Sequence, residues 1–216
     1  MKGITMQGPS VIATLNGSKT QTRRVIKGYP SDSLNCRAVV NVSRVEWWNH
    51  VNTPLFTSKI PYPVGAKRYI REAYWLAPEN FNWGHDAPFS EDGKAVFFDY
   101  VTNTCVDTHV TLDVAGLKEK SPLSMPERFS RCHIEIVGVR VERVQSISDA
   151  DVMAEGCLTA PEFIKDGQKI PVMYKLIGGA WRKTKSEAFA SYFGQKTWDS
   201  NPWVFVYDYK VIWRKP

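Results

Sequence analysis

The chain has 216 residues, 43% hydrophobic and 23% charged, with 28 Lys+Arg against 22 Asp+Glu and a formal net charge of +6. This composition excludes a disordered, collagen-like or coiled-coil polypeptide and suits one domain with a sizeable core. The charge excess is too small to name a partner, but it is unevenly placed. Residues 1–31 hold Lys2, Lys19, Arg23, Arg24 and Lys27 with no acid, and the segment from Lys165 onward is basic too.

No apolar run reaches the ~18 residues of a membrane span. The opening MKGITMQGPSVIATLNG lacks the apolar stretch of a secretory leader, so a cytoplasmic protein with no membrane partner is expected. Cys36, Cys105, Cys132 and Cys157 are too scattered for a disulfide framework and are read as free thiols.

In chain order, Pro9 opens a short helix that carries Val11, Ile12 and Leu15 on one face and ends at Gly17. Ser18 to Ile26 then turns from a polar loop into a strand with Thr20, Thr22 and Arg24 on one side. Lys67 to Leu76 (KRYIREAYWL) alternates apolar and polar residues, as does Arg131 to Ser146, in which Gly138 predicts a bulge or bend. Ser148 caps a helix closed by Gly156, with Glu155 in its last turn, where the helix dipole gives a carboxylate no support and favours a raised pKa. KSEAFASYF (185–193) is an amphipathic helix, and WVFVYDYKVIW (203–213) is the strongest strand signal. Two polar stretches, at about 77–127 (with a possible hairpin at 95–112) and 158–182, read as surface insertions. Many short strands with few helices predict an α+β, mainly β, domain built on a small barrel.

His50, His85, His109 and His133 form no metal-ligand spacing with one another or with cysteine, so no metal and no cofactor is expected. Cys132 and His133 point to opposite faces of a strand, a buried thiol beside an exposed imidazole. GGAWRKT (178–184) lacks the glycines of a phosphate loop, and no G-x-S-x-G elbow occurs. The informative segment is GSKTQTRR (17–24). A lysine of lowered pKa at position 19 can deprotonate Thr22 and make it a nucleophile, and the planar fork of Arg24 can hold a phosphate or carbonyl oxygen. From spacing alone, a solvated basic turn is the reading these residues favour, and the chemistry needs further support. Glu72 reads either as a site carboxylate or as an ion pair with Arg71 or Arg24, and Trp203, after Asn201-Pro202, either as packing or as a base-stacking ring.

Four segments, GSKTQTRR, VGAKRYIREAYW, SRCHIEIVGVRVERVQSISDADVMAEG and WDSNPWVFVYDYKVIW, resemble the ASCH domain family, in particular the longer ASCH proteins of bacteriophages and prophages. The resemblance spans both ends and the middle of the chain and leaves the two insertions uncovered. It implies a single domain over 1–216 with a β-barrel similar to the RNA-binding PUA domains. A subgroup of that family hydrolyses the N4-acyl amide of N4-acetylcytidine with a lysine, a threonine and a glutamate, which would fall on Lys19, Thr22 and Glu155. The resemblance thus implies a carbon–nitrogen amidohydrolase acting on an acylated pyrimidine nucleoside. Lys19 would be the base, Thr22 the nucleophile and Glu155 the proton carrier, with Arg24, Thr20, Arg23, Glu72 and Trp203 as candidate substrate contacts. The expected partner is a modified nucleoside, RNA or single-stranded nucleic acid. The competing expectations are a binding module for RNA or a modified base without chemistry and, further behind, a ribonuclease.

Overall fold

A computed structural model describes residues 1–29, 36–76, 95–96, 98–99, 104–105, 119–165, 168–176 and 179–214. The strands are β1 (Gly3–Thr5), β2 (Gln21–Val25), β3 (Arg37–Val40), β4 (Arg44–Trp48), β5 (Pro54–Lys59), β6 (Lys67–Arg71), β7 (Tyr74–Leu76), β8 (Ala95–Val96) and β9 (Phe98–Asp99). They continue as β10 (Thr104–Cys105), β11 (Glu119–Lys120), β12 (Cys132–Arg143), β13 (Cys157–Ala160), β14 (Phe163–Lys165), β15 (Gln168–Ile170), β16 (Met173–Leu176) and β17 (Trp203–Arg214). The α-helices are α1 (Gly8–Leu15), α2 (Asp149–Ala154), α3 (Lys185–Phe193) and α4 (Gln195–Asp199). The class is α+β, mainly β, and no helix among the described residues is long and apolar enough to cross a membrane. The chain divides into two compact units, one of residues 1–16, 67–134 and 211–216, the other of 17–66 and 135–210.

In the first unit β1 lies parallel to β6, pairing Gly3 with Tyr69 and Thr5 with Arg71, and the order continues to the start of β12. Ile4 and Ile70, partners across that ladder, are both buried. Pro9 sits in the first turn of α1, where its missing N–H costs nothing, and Val11 and Ala13 face inward. β7 pairs with β8 and β11, and β9 with β10. Most of the expected insertion at 77–127 lies outside the described residues.

In the second unit the order is β12-β17-β2, with β2 antiparallel to β17. Gln21 faces Asp208, Thr22 faces Tyr207, Arg23 faces Val206 and Arg24 faces Phe205. Because side chains alternate along a strand, this register sorts the pair into two faces. On one, Val204 and Val206 join Val144, Ile147, Val152, Leu176, Ala188 and Phe189 in a core under α2 and α3. The other carries aromatic rings: Tyr207 meets Tyr62 at 5.2 Å, Trp203 meets Trp47 at 6.3 Å, and Trp47, on the central strand of the β3-β4-β5 sheet, meets Phe56 at 5.2 Å.

The segment expected as a polar surface insertion at 158–182 is more integrated than its composition suggests. Its described part forms the antiparallel pairs β13–β16 and β14–β15, and Leu176 at the end of β16 is buried in the core. β12 spans Gly138 within its twelve residues.

Candidate functional site: a buried lysine–glutamate pair

Lys19 follows the turn in which Gly17 takes φ +84°, a conformation glycine adopts at little cost. Its backbone forms an isolated bridge with Glu155, and the Thr20 N–H donates to Ala154 O at 2.9 Å. Glu155 is placed by α2, whose start is fixed by a capping box: Ser148 Oγ accepts from the Asp151 N–H while the Asp151 carboxylate accepts back from Ser148. Both side chains are almost completely buried. Lys19 Nζ donates to Glu155 Oε2 and, at 3.1 Å, to Glu155 O. Burial pushes the Lys19 pKa down; the Glu155 charge and hydrogen bond oppose this, the Arg24 and Arg23 charges add to it, and the net value lies below that of an ordinary lysine.

The pair is the inner end of a larger network. Arg23, with a fully buried side chain, donates from Nη1 to Glu155 Oε1 at 3.1 Å and to Gln21 Oε1 at 2.5 Å. Its Nη2 and Nε reach Glu142 Oε1 at 2.7 and 3.3 Å. Gln21 Nε2 donates to Asp151 Oδ1 at 2.9 Å and Asp208 Oδ1 at 2.7 Å. Arg140 closes the outer rim on Glu142, Asp151 and Asp208. Burial raises the Asp151 pKa, but hydrogen bonds from Gln21, Ser148 and Arg140, together with the Arg140 charge, outweigh it and hold the carboxyl well below its usual range. The same carboxylates outweigh burial at Arg140 and hold its guanidinium above its ordinary value.

Of the residues expected at the site, Lys19, Glu155 and Arg23 come together. Thr22 is buried on the opposite face of β2, level with Tyr207, and among the described residues Lys19 Nζ is hydrogen-bonded to Glu155 rather than to Thr22. Arg24 shares the Thr22 side and is half-buried; Thr20 is exposed and tied through its carbonyl to the Tyr209 N–H at 2.9 Å. The phenol of Tyr207 is raised above its usual range by burial and by Tyr62. Trp203 carries the Arg143 guanidinium 4.7 Å above its ring, and its buried indole N–H has no hydrogen-bond partner among the described residues. Glu72 lies in the other unit, where Arg131, not Arg71 or Arg24, forms its ion pair. Gln21, Glu142, Asp151, Arg140 and Asp208 were not expected at the site. The signal for Gln21 was the second alternation in the same string, Lys19, Gln21 and Arg23, opposite to Thr20, Thr22 and Arg24.

Among the described residues no cluster of three or more His, Cys, Asp or Glu is arranged to hold a metal ion. A surface pocket of about 540 Å³ opens between Arg182, α3 (Ser186, Glu187, Ser191) and α4 (Gln195, Trp198), with none of the expected site residues on its walls. The arrangement around Lys19 can store and exchange a proton between an amine of lowered basicity and a carboxylate, shielded from water. No family model matches the chain, and no curated protein or solved structure matches it either.

Proposed function

We propose that this chain is an ASCH-type domain on a PUA-like β-barrel that binds a modified pyrimidine nucleoside and hydrolyses its N4-acyl amide. The observation that carries the assignment is the buried Lys19–Glu155 pair, with a lysine shifted toward its neutral form inside the K-T-x-T-x-R string. Neutral Lys19 takes the Thr22 hydroxyl proton, and Thr22 Oγ1 attacks the acyl carbonyl. The proton taken by Lys19 passes to Glu155, which relays it to N4 as the C–N4 bond breaks, and water then hydrolyses the acyl-threonine ester to acetate and free Thr22. Since Thr22 stands on the other face of β2, this chemistry requires Lys19 Nζ to leave Glu155 for Thr22 Oγ1 when substrate binds.

The test is release of cytidine and acetate from N4-acetylcytidine, followed by chromatography and mass spectrometry. Turnover by the wild type, reduced about 10²-fold or more in each of Lys19→Ala, Thr22→Ala and Glu155→Ala, is the expected result. No turnover across a panel of N4-acylated nucleosides, or full activity in Lys19→Ala, overturns it. A second reading, binding of RNA or a modified base without chemistry, is favoured by one observation: the Arg23 guanidinium occupies the Glu155 oxygen that Lys19 leaves open. Saturable binding of the nucleoside or of single-stranded RNA with no product formed would decide for that reading.

A further inference from the structure

The two oxygens of Glu155 are divided between two cations: Oε2 belongs to Lys19, and Oε1 accepts from Arg23 Nη1 at 3.1 Å. Arg23 has no exposed side-chain surface with which to meet a phosphate or a base. Its fork points inward and is held at both ends. Gln21 Oε1 takes Nη1, Glu142 Oε1 takes Nη2 and Nε, and Asp151 Oδ2 lies 3.3 Å from Nη2. Gln21 can play this part only in one amide orientation, because its Nε2 end faces two carboxylates and its Oε1 end a guanidinium. The Phe189 ring from α3 stands 5.6 Å from the Arg23 guanidinium carbon and closes the remaining side.

We propose that Arg23, oriented by Gln21, is a positioning residue that sets the protonation of the Lys19–Glu155 pair instead of contacting the ligand. This rests on the acid–base role assigned to that pair above. The physical reason is the fixed positive charge of an arginine, which cannot lose its proton in a protein. Held beside the pair, it disfavours the Lys19 ammonium, so the amine stays ready to accept a proton. The charged groups around the pair come from four elements: Arg23 and Arg24 from β2, Asp151 from α2, Arg140 and Glu142 from β12, and Asp208 from β17, while α3 presents the Phe189 ring. Only Arg23 bridges directly to Glu155 among those groups.

The experiment is an NMR titration of the lysine side chains in the labelled full chain, with the Lys19 signal assigned by its loss in Lys19→Gln. Wild type, Arg23→Gln and Gln21→Met are compared after thermal melts show which are folded. Loss of the neighbouring cation is expected to raise the Lys19 titration midpoint by about one pH unit in Arg23→Gln, and by less in Gln21→Met. If Arg23→Gln does not fold, Gln21→Met carries the test, because it leaves the guanidinium in place while removing the amide that accepts from it and donates to Asp151 and Asp208. A Lys19 midpoint identical in wild type and in the folded variants overturns the proposal. With N4-acetylcytidine as substrate, the kcat–pH profile moves with the Lys19 midpoint while KM stays within about twofold; a raised KM with an unmoved profile overturns it in favour of direct ligand contact. A moved midpoint without any turnover retains the positioning role and removes the hydrolase assignment, whereas turnover with an unmoved midpoint does the reverse.

Discussion

Gly138 and Asp208 approach so closely that a Cβ on the glycine would lie 2.7 Å from Asp208 Oδ2. Gly138 is not among the positive-φ glycines, so space and not backbone freedom is what the position requires. Asp208 in turn anchors Gln21 and takes Arg140 Nη1 at 3.3 Å. Gly138→Ala is therefore expected to push Asp208 outward and to destabilise by about 1–3 kcal/mol in urea unfolding. In an Asp208→Ala background the same change should cost less, because Oδ2 is gone and only the Cβ, at 3.3 Å, remains in the way. Equal costs in both backgrounds would refute the coupling.

The Asp151 carboxyl, held below its usual range by Gln21, Ser148 and Arg140 against the opposing effect of burial, gives a pH prediction with a definite sign. A folded pKa below the unfolded one stabilises the fold fully above the unfolded value, near pH 4, and that contribution is lost as the pH falls toward the folded value. The stability gap between wild type and Asp151→Asn should thus be largest at pH 7 and shrink at pH 3. Denaturant unfolding at pH 7, 5 and 3 measures it, and a gap independent of pH would show that the ionised state is not what matters.

In the first unit, Glu72 and Arg131 form a two-bond fork: Nε to Oε1 at 2.8 Å and Nη2 to Oε2 at 2.5 Å. The residues are 2% and 8% exposed, so removing either partner strands a charge away from water. Burial raises the Glu72 pKa, with Arg131 opposing the rise. Arg131→Met is expected to cost about 3–5 kcal/mol, and the double change Glu72→Met/Arg131→Met less than either single one. A double mutant as unstable as the sum of the singles would show that the two side chains act separately.

Thiol chemistry separates the cysteines. Burial pushes the Cys132 thiol up to about 11 and raises Cys157 as well, while Cys36 is only half-buried. Since the thiolate is the reactive form, iodoacetamide at pH 7.5 should label Cys36 well before Cys132 or Cys157 in the native protein. Site-resolved mass spectrometry against time provides the check, with early labelling of Cys132 as the contrary outcome.

Much of the local structure was legible in the sequence for simple reasons. Pro9, Gly17, Ser148 and Gly156 are punctuation with a backbone meaning, and they bracket α1 and α2 as read. The amphipathic period of KSEAFASYF and the alternation of WVFVYDYKVIW gave α3 and β17. Leu176 escaped because a hairpin surrounded by polar residues can still send one side chain to the core, which composition averages away. At the site, the alternation of GSKTQTRR was seen but its inward face was not. Thr20, Thr22 and Arg24 form the side that spacing marks as polar, whereas Lys19, Gln21 and Arg23 carry the buried network, whose carboxylates lie more than a hundred residues away in sequence. Only pairing with distant strands and α2 reveals which side of β2 is the interior one.

β2 thereby works as a partition. Gln21 and Arg23 answer to a buried set of charges, while Thr22 and Arg24 lie on the side that carries the aromatic rings. A substitution at Thr22 or Arg24 therefore meets the ring-bearing face, and one at Gln21 or Arg23 meets the buried charges.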